Sequence, residues 1–296
     1  MLYILEHAGD SILFVDTTFV PIIVKLASKL PKNLVIIVMA SSESMSNFPD
    51  EYLSYETLIS QSSQKIMWPE LPENTAAGLC YTSGTTGNPK GALYSHRSTV
   101  LHALTISLNM GLFLGNGMKV LPVVPLFHVN AWGLPYAAPL TGTSLIFPGP
   151  NLDGASLFNL MDHEDVNSAW GVPTVWLGLL EEIRNQGKAP SQFQNVVIGG
   201  SAAPKSMIEE FEGLGITVCH AWGMTEMSPV GTQGFLPQPM TKLLSSDEQI
   251  LKKCNQGRRV FGVDLKIIDE KGNSLPHDGD CLLYTSDAAD ESVGVD

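Results

Sequence analysis

Positive charge is scarce in this sequence: 17 Lys and Arg face 30 Asp and Glu, a formal net charge of −13. That balance argues against a nucleic-acid partner, whose phosphates are bound by a basic surface that displaces counterions. Cysteine is scarce too. Cys80, Cys219, Cys254 and Cys281 stand far apart, without CxxC or Cys/His metal spacing, as expected of small buried residues in a reducing compartment. Long apolar runs are missing: nothing reaches the roughly 18 residues of a membrane span, and no basic segment followed by an apolar core opens the chain. These absences lead us to expect a soluble protein of the cytoplasm. What remains is a globular composition, 44% hydrophobic and 16% charged over 296 residues. It suffices for one large domain or two ordinary ones with a sizeable core.

Against that background the segment Tyr81-Thr-Ser-Gly-Thr-Thr-Gly-Asn-Pro-Lys90-Gly91 stands out. Gly84, Gly87 and Gly91 let the backbone adopt positive φ and bring its N–H groups close to an anion. Thr82, Ser83, Thr85 and Thr86 add hydroxyls for phosphate or a bound Mg²⁺, and Lys90 adds a mobile positive charge. Gly/Ser/Thr clusters also mark plain solvated turns, but the flanks favour a ligand. Residues 76 to 81 read as a short buried strand, and residues 95 to 110 as a helix with Val100, Leu101, Leu104 and Leu108 on one side. Strand, glycine loop and helix is a phosphate-binding arrangement. It is not the Walker A pattern, because Lys90 lies between Pro89 and Gly91.

The rest of the chain alternates strands and helices, which predicts an α/β fold with mostly parallel sheets flanked by helices. Residues 2 to 7 read as the end of a helix. Strands at 11–16 and 33–39 bracket a helix carrying Val24, Leu26 and Leu30, and residues 41 to 74 read as a polar surface excursion. Further strands are expected at 118–124, 144–147, 166–170, 195–198 and 216–219. Residues 173 to 185 carry Trp176, Leu179, Leu180 and Ile183 at helical spacing, a core stripe. Pro204 suits the first position of a helix that turns Ile208 and Phe211 inward and stops at Gly213 or Gly215. Residues 257 to 279 alternate like an antiparallel hairpin.

Four segments together resemble one family. The loop from Thr82 to Gly91, Pro125-Leu-Phe-His-Val-Asn-Ala-Trp132-Gly133, Gly199-Gly-Ser-Ala-Ala-Pro204 and Trp222-Gly-Met-Thr-Glu226 look like the signatures of the acyl-adenylate-forming (AMP-binding) superfamily, in its order and spacing. That superfamily includes acyl-CoA synthetases, firefly luciferase and peptide-synthetase adenylation domains. The run from His128 to Tyr136, with Gly171-Val-Pro-Thr-Val-Trp176 after it, is most like the medium- and long-chain fatty acyl-CoA synthetases.

The resemblance implies ATP, Mg²⁺ and coenzyme A as reactants or cofactors and a fatty acid as the other substrate. It implies that Thr82 and Glu226 hold the metal, that Thr225 bonds a phosphate, and that Ser83, Gly84, Thr85, Thr86, Gly87 and Lys90 form a phosphate flap. Gly200 would lie against adenine, and Trp222 would stack on it. His220 and Ala221 stand where relatives often carry other residues, which leaves their backbones for nucleotide contacts. His128, Val129 and Trp132 would lie in the segment that separates nucleotide from acyl tunnel, with His128 near the carboxylate, Val129 and Trp132 as cofactor contacts and Trp132 as a gate to the tunnel; Thr174, Val175 and Trp176 could line that tunnel or simply pack the core.

The resemblance covers about residues 1 to 280, read as a partial N-terminal adenylation domain of the acyl-CoA synthetase/luciferase-like fold with an incomplete antiparallel portion near its end. Residues 281 to 296 read as a non-native or disordered tail. The first hundred residues or so of the family's large domain, its ribose-binding aspartate and its small C-terminal domain have no counterpart, so the chain as given is expected to lack full activity. A homodimer is allowed by the resemblance, with no independent sign in the residues. Two other readings stay open: an adenylation domain serving a different acyl acceptor, and a nucleotide-binding module without chemistry.

Overall fold

A computed structural model describes residues 1–63, 65–82, 87–108, 112–269 and 271–275. They divide into two compact units, Met1–Pro72 and Glu73–Asp296. In the first unit, α1 (Leu2–Ala8) ends at Gly9, whose φ of 68° needs no side chain. Strand β1 (Ile12–Val15), helix α2 (Val20–Leu26), strands β2 (Val35–Val38) and β3 (Leu53–Ser54) and helix α3 (Tyr55–Gln61) follow. The strands form a three-stranded sheet in the order β1-β2-β3, parallel throughout.

Two expectations change here. Helix α2 buries Val20 and Ile23 and leaves Val24 exposed, because Val20 and Ile23 are the pair that meets Val15, Ile36 and Val38. The segment from 41 to 74 is no mere excursion: it supplies β3 and α3, anchored by buried Tyr52 and by the Ser54 hydroxyl, which donates to the Ala40 carbonyl at 2.9 Å.

The second unit opens with an antiparallel pair, β4 (Ala76–Thr82) and β5 (Lys90–Ser95), with Thr82 opposite Lys90. The glycine-rich loop therefore joins two strands rather than a strand and a helix. Helix α4 (His96–Ser107) begins only after β5, at a capping box between Ser95 and Ser98. Its expected apolar side is reversed as well: Val100, Leu101, Leu104 and Leu108 are exposed, while His102, Ala103, Thr105 and Ile106 are buried. Small Ala103 lets α4 pack closely on α6 (Leu134–Thr141).

Between them run β6 (Lys119–Pro122) and α5 (Val129–Trp132); β7 (Ser144–Leu145) comes after α6. Then follow α7 (Gly154–His163), β8 (Ser168–Gly171), α8 (Pro173–Gln186), β9 (Asn195–Ile198), α9 (Lys205–Gly213), β10 (Thr217–Gly223) and β11 (Val230–Gly234). The described chain closes with α10 (Gln238–Thr241), α11 (Ser246–Cys254) and β12 (Arg258–Arg259). The large sheet has the order β12-β11-β10-β9-β8-β6-β7. Strands β7, β6, β8, β9 and β10 are parallel, and β11 and β12 add the antiparallel edge.

The central parallel strands carry apolar residues at consecutive positions because both faces are covered. Leu121, Ala169, Val196, Ile198 and Val218 face a core made with α7, α8 and α9, including Trp176, Leu179, Leu180, Ile183, Ile208 and Phe211. Val120, Trp170, Val197 and Cys219 face the other way, onto Ala103, Ile106, Leu134 and Ala137. Pro204 caps α9 rather than occupying its first turn. Of the hairpin expected over 257 to 279, the described residues show β12 and an antiparallel bridge between Ile268 and Ser274; residues 270 and 276 to 279 lie outside the described residues. The tail from 281 to 296 lies outside the described residues. No helix among the described residues is long and apolar enough to cross a membrane.

Candidate functional site

A cavity of about 490 Å³ opens where the parallel strands end, the position at which open α/β sheets take up ligands. Segments far apart in sequence converge on it: Tyr81 and Thr82 from the end of β4; Phe127, His128, Val129 and Trp132; Gly199 and Gly200 after β9; and Ala221 through Glu226 from β10 onward. Ile106, Leu112, Trp170, Val197, Pro229 and Val230 supply apolar lining. One part of the wall is thus rich in hydroxyl, carboxylate, imidazole and bare backbone, and the remainder is hydrocarbon.

The segment after His128 has an unusual backbone. Val129, Asn130, Ala131 and Trp132 have φ of 50°, 51°, 46° and 56°, and Gly133 continues at 80°, so α5 is a single left-handed turn. Left-handed helix costs L-residues roughly 1–2 kcal/mol each, and such strain persists where packing over-determines it. Here Ala131 is fully buried, Val129 packs with Cys80 and Tyr94, and a Cβ on Gly133 would lie 2.4 Å from the His102 ring. The turn sets Trp132 beside the glycine pair: a Cβ at Gly199 would stand 3.0 Å from its ring, and Gly200 has φ 77°. Residues 199 and 200 thus present backbone alone to the cavity mouth.

Thr225, Glu226 and Met227 form a 3₁₀ turn that follows β10. The Thr225 carbonyl accepts hydrogen bonds from the Ser228 N–H at 3.4 Å and from the buried Tyr94 hydroxyl. Trp222 is packed against Gly231, where a Cβ would fall 2.6 Å from the indole. Thr82 donates its hydroxyl to the Lys90 carbonyl at 3.5 Å across the strand pair. The oxygens of Thr82 and Glu226 suit a hard cation, and among the described residues no cluster of three or more His, Cys, Asp or Glu offers a full protein cage. Such a sparse set fits Mg²⁺, which keeps waters and is shared with substrate phosphates.

Of the residues expected from sequence, Thr82, His128, Val129, Trp132, Gly200, Ala221, Trp222, Thr225 and Glu226 line this one cavity. Gly87 and Lys90 are exposed and lie off its lining, and Ser83, Gly84, Thr85 and Thr86 fall outside the described residues. His220, expected to offer its backbone, lies off this lining; its imidazole is buried, Nε2 accepts from the Ala203 N–H at 3.3 Å, and Nδ1–H donates to the Cys254 carbonyl at 3.1 Å. Burial lowers its pKa and keeps the ring neutral, so it ties α11 to the loop before α9 instead of facing a ligand.

The apolar lining also differs from expectation. Trp176 lies in the core on the opposite face of the sheet, because α8 packs there, and Thr174 and Val175 are likewise off the cavity. The hydrocarbon wall comes from Trp170, Val197, Ile106 and Leu112. Strand alternation was the available signal: on β8, Ala169 and Trp170 must face opposite ways. The Trp170 indole donates to Ser168 Oγ at 3.2 Å, and that hydroxyl donates to Asn195 Oδ1 at 2.7 Å, which locks the ring.

The fold and the convergence of these segments define an α/β protein of the acyl-CoA ligase and luciferase type, half of one. The structure superposes on the anthranilate CoA ligase AuaEII, crystallised with anthranoyl-AMP, with a TM-score of 0.80 at 21% identity, over 93% of this chain and 50% of that one. On a long-chain-fatty-acid-CoA ligase from Archaeoglobus fulgidus the TM-score is 0.76 at 20% identity, over 93% and 52%. Residues 1–285 match the model of the AMP-binding enzyme family, and the chain belongs to that family.

Among curated relatives, it is 48% identical to a medium-chain-fatty-acid–CoA ligase of Ectopseudomonas oleovorans over 280 residues, 94% of this chain and 51% of that protein. It is 45% identical to a 3-methylmercaptopropionyl-CoA ligase of Ruegeria lacuscaerulensis (94% and 52%). Identity is 42% to a long-chain-fatty-acid–CoA ligase of Thermus thermophilus (95% and 50%). The chain spans about half the length of these relatives.

Proposed function

We propose that the protein carrying this chain joins a carboxylic acid, of the medium- or long-chain fatty type, to coenzyme A at the expense of ATP. One observation carries this reading: a polar mouth and a hydrocarbon lining share a single cavity, assembled from four segments that include Thr82, His128 to Trp132, Gly199–Gly200 and Trp222 to Glu226. The carboxylate oxygen attacks the α-phosphorus of ATP, pyrophosphate leaves, and an acyl adenylate remains. The CoA thiol sulfur then attacks the acyl carbonyl, loses its proton, and AMP leaves.

In this reading Gly200 receives the adenine against bare backbone and Trp222 stacks on it. The Thr225 hydroxyl bonds a phosphate, and Ser83, Gly84, Thr85, Thr86, Gly87 and Lys90 serve as the phosphate-binding flap. Thr82 and Glu226 hold Mg²⁺, which when bound offsets phosphate charge. His128 orients the carboxylate, while Trp132 separates it from the hydrocarbon wall formed by Trp170, Val197 and Ile106. Residues 1 to 280 act as part of the adenylation domain, and this chain alone does not complete the reaction.

The test is product analysis with the protein encoded by the complete gene. ATP, a fatty acid and CoA are expected to give AMP, pyrophosphate and acyl-CoA in equal amounts. ADP as product would sink the reading, and adenylate formed without thioester would favour another acyl acceptor. The similarity of three curated relatives whose names specify CoA ligation supports the thiol acceptor.

A further inference from the structure

The function above leaves one buried polar pair unused. Tyr94 on β5 is 6% exposed, yet its hydroxyl reaches out of the strand pair to the carbonyl of Thr225, 131 residues away. That carbonyl already accepts the Ser228 N–H, so both of its lone pairs are taken. The turn presenting the Thr225 hydroxyl and the Glu226 carboxylate is held from inside by its own backbone and from outside by Tyr94.

Cys80, on the neighbouring strand β4, completes the connection. It clusters with Tyr94 and Val129 in a small core of its own, with Ala92 and Trp132 packed against it. Its side chain thus lies between Tyr94 and Val129, the first residue of the left-handed turn. Burial pushes the Tyr94 phenol up, in keeping with a hydroxyl that donates. The Tyr94 O–H donates to the Thr225 carbonyl, and Cys80 packs against the same tyrosine.

We infer that Tyr94 is a positioning residue for the nucleotide half of the site, and that Cys80 links it to the turn bearing His128 and Trp132. The strands that carry the glycine-rich loop thereby brace both halves of the cavity, Thr225–Glu226 through the Tyr94 hydrogen bond and Val129 through the packing of Cys80. This rests on the ligase reading for the names of the two substrates, but not for the connection itself.

The test uses the protein encoded by the complete gene with Tyr94→Phe, which keeps the ring and removes the hydroxyl. Binding is followed by the fluorescence of the tryptophans on the cavity, Trp132, Trp170 and Trp222, titrated with ATP at several Mg²⁺ concentrations. Acid-dependent pyrophosphate–ATP exchange gives KM for ATP and for the acid. Losing one partner of a buried acceptor changes an equilibrium by about 3- to 10-fold. Tyr94→Phe is expected to raise the Mg²⁺ midpoint and the ATP constants by roughly that factor, with KM for the acid unchanged. Cys80→Ala, which retains the Tyr94–Thr225 bond, is expected to do the reverse, raising KM for the acid and sparing Mg²⁺ dependence.

Unchanged Mg²⁺ and ATP dependence in Tyr94→Phe, or an even loss in both substrates, overturns the inference; if that variant does not fold, an even effect of Cys80→Ala overturns it. Wild-type protein that binds Mg·ATP without acid-dependent exchange defeats the ligase reading instead, and the binding titrations still decide the role of Tyr94.

Discussion

Glu226 is the one carboxylate among the described residues that line the cavity. If it holds the metal, Glu226→Gln keeps size and hydrogen bonding but removes the charge. Mg²⁺-dependent ATP use should then fall on the order of tenfold or more, read as the Mg²⁺ midpoint of pyrophosphate–ATP exchange; a wild-type midpoint would refute the role. His102 gives a second prediction at this scale. It is buried on α4, its Nε2 accepts the Val230 N–H at 3.4 Å, and burial lowers its pKa to about 4 from an ordinary 6.5. As pH falls from 6.5 towards 4, the unfolded chain takes up a proton that the folded one refuses, so stability declines across that window. The loss for His102 amounts to about 3 kcal/mol at its end, and His220, shifted in the same direction, adds to it. Urea unfolding midpoints should fall through this range and flatten in His102→Asn; a pH-independent midpoint would contradict the assignment.

Among the elements, the most legible were those with both faces buried. Strands β6, β8, β9 and β10 appear in sequence as short runs with consecutive apolar residues, such as Val120-Leu121, Ala169-Trp170, Val196 to Ile198 and Val218-Cys219, and α8 shows Trp176, Leu179, Leu180 and Ile183 on one side. Elements half open to solvent were harder. Strand β5 was missed: the loop was read through Gly91 and the helix from residue 95, since the run Gly91-Ala-Leu-Tyr94 gives no alternation before Ser95 caps α4. The capping box of Ser245 and Glu248 did mark α11 and went unread. Nothing in Val129-Asn-Ala-Trp132 announces a left-handed turn: the cause lies in partners such as Cys80 and His102, distant in sequence. The motifs placed nine of the expected site residues on one cavity, whereas Trp170 and Val197 needed the sheet's two faces to be told apart. One element pair can be tested directly. Strand β11 opposes β10 with Thr232 beside Trp222, and Gly231→Ala puts a methyl where the indole lies. The variant should shift tryptophan emission and raise KM for ATP several-fold; unchanged values would show that Trp222 is not held for stacking.

For the whole molecule, about half a relative's length already forms the cavity lining described, yet much apolar surface is left in water. Leu93 on β5 and Val100, Leu104 and Leu108 around α4 are all exposed. Exposed apolar side chains on neighbouring elements promote association, so this chain expressed alone should self-associate and bind a hydrophobic dye. Light scattering of a monodisperse, dye-negative monomer would contradict that. The central claim is that the cavity brings a carboxylate and ATP together for adenylation, and exchange of labelled pyrophosphate into ATP by the protein from the complete gene tests it most directly. The account predicts exchange that requires both Mg²⁺ and an added fatty acid; no exchange, or exchange indifferent to the acid, would contradict it.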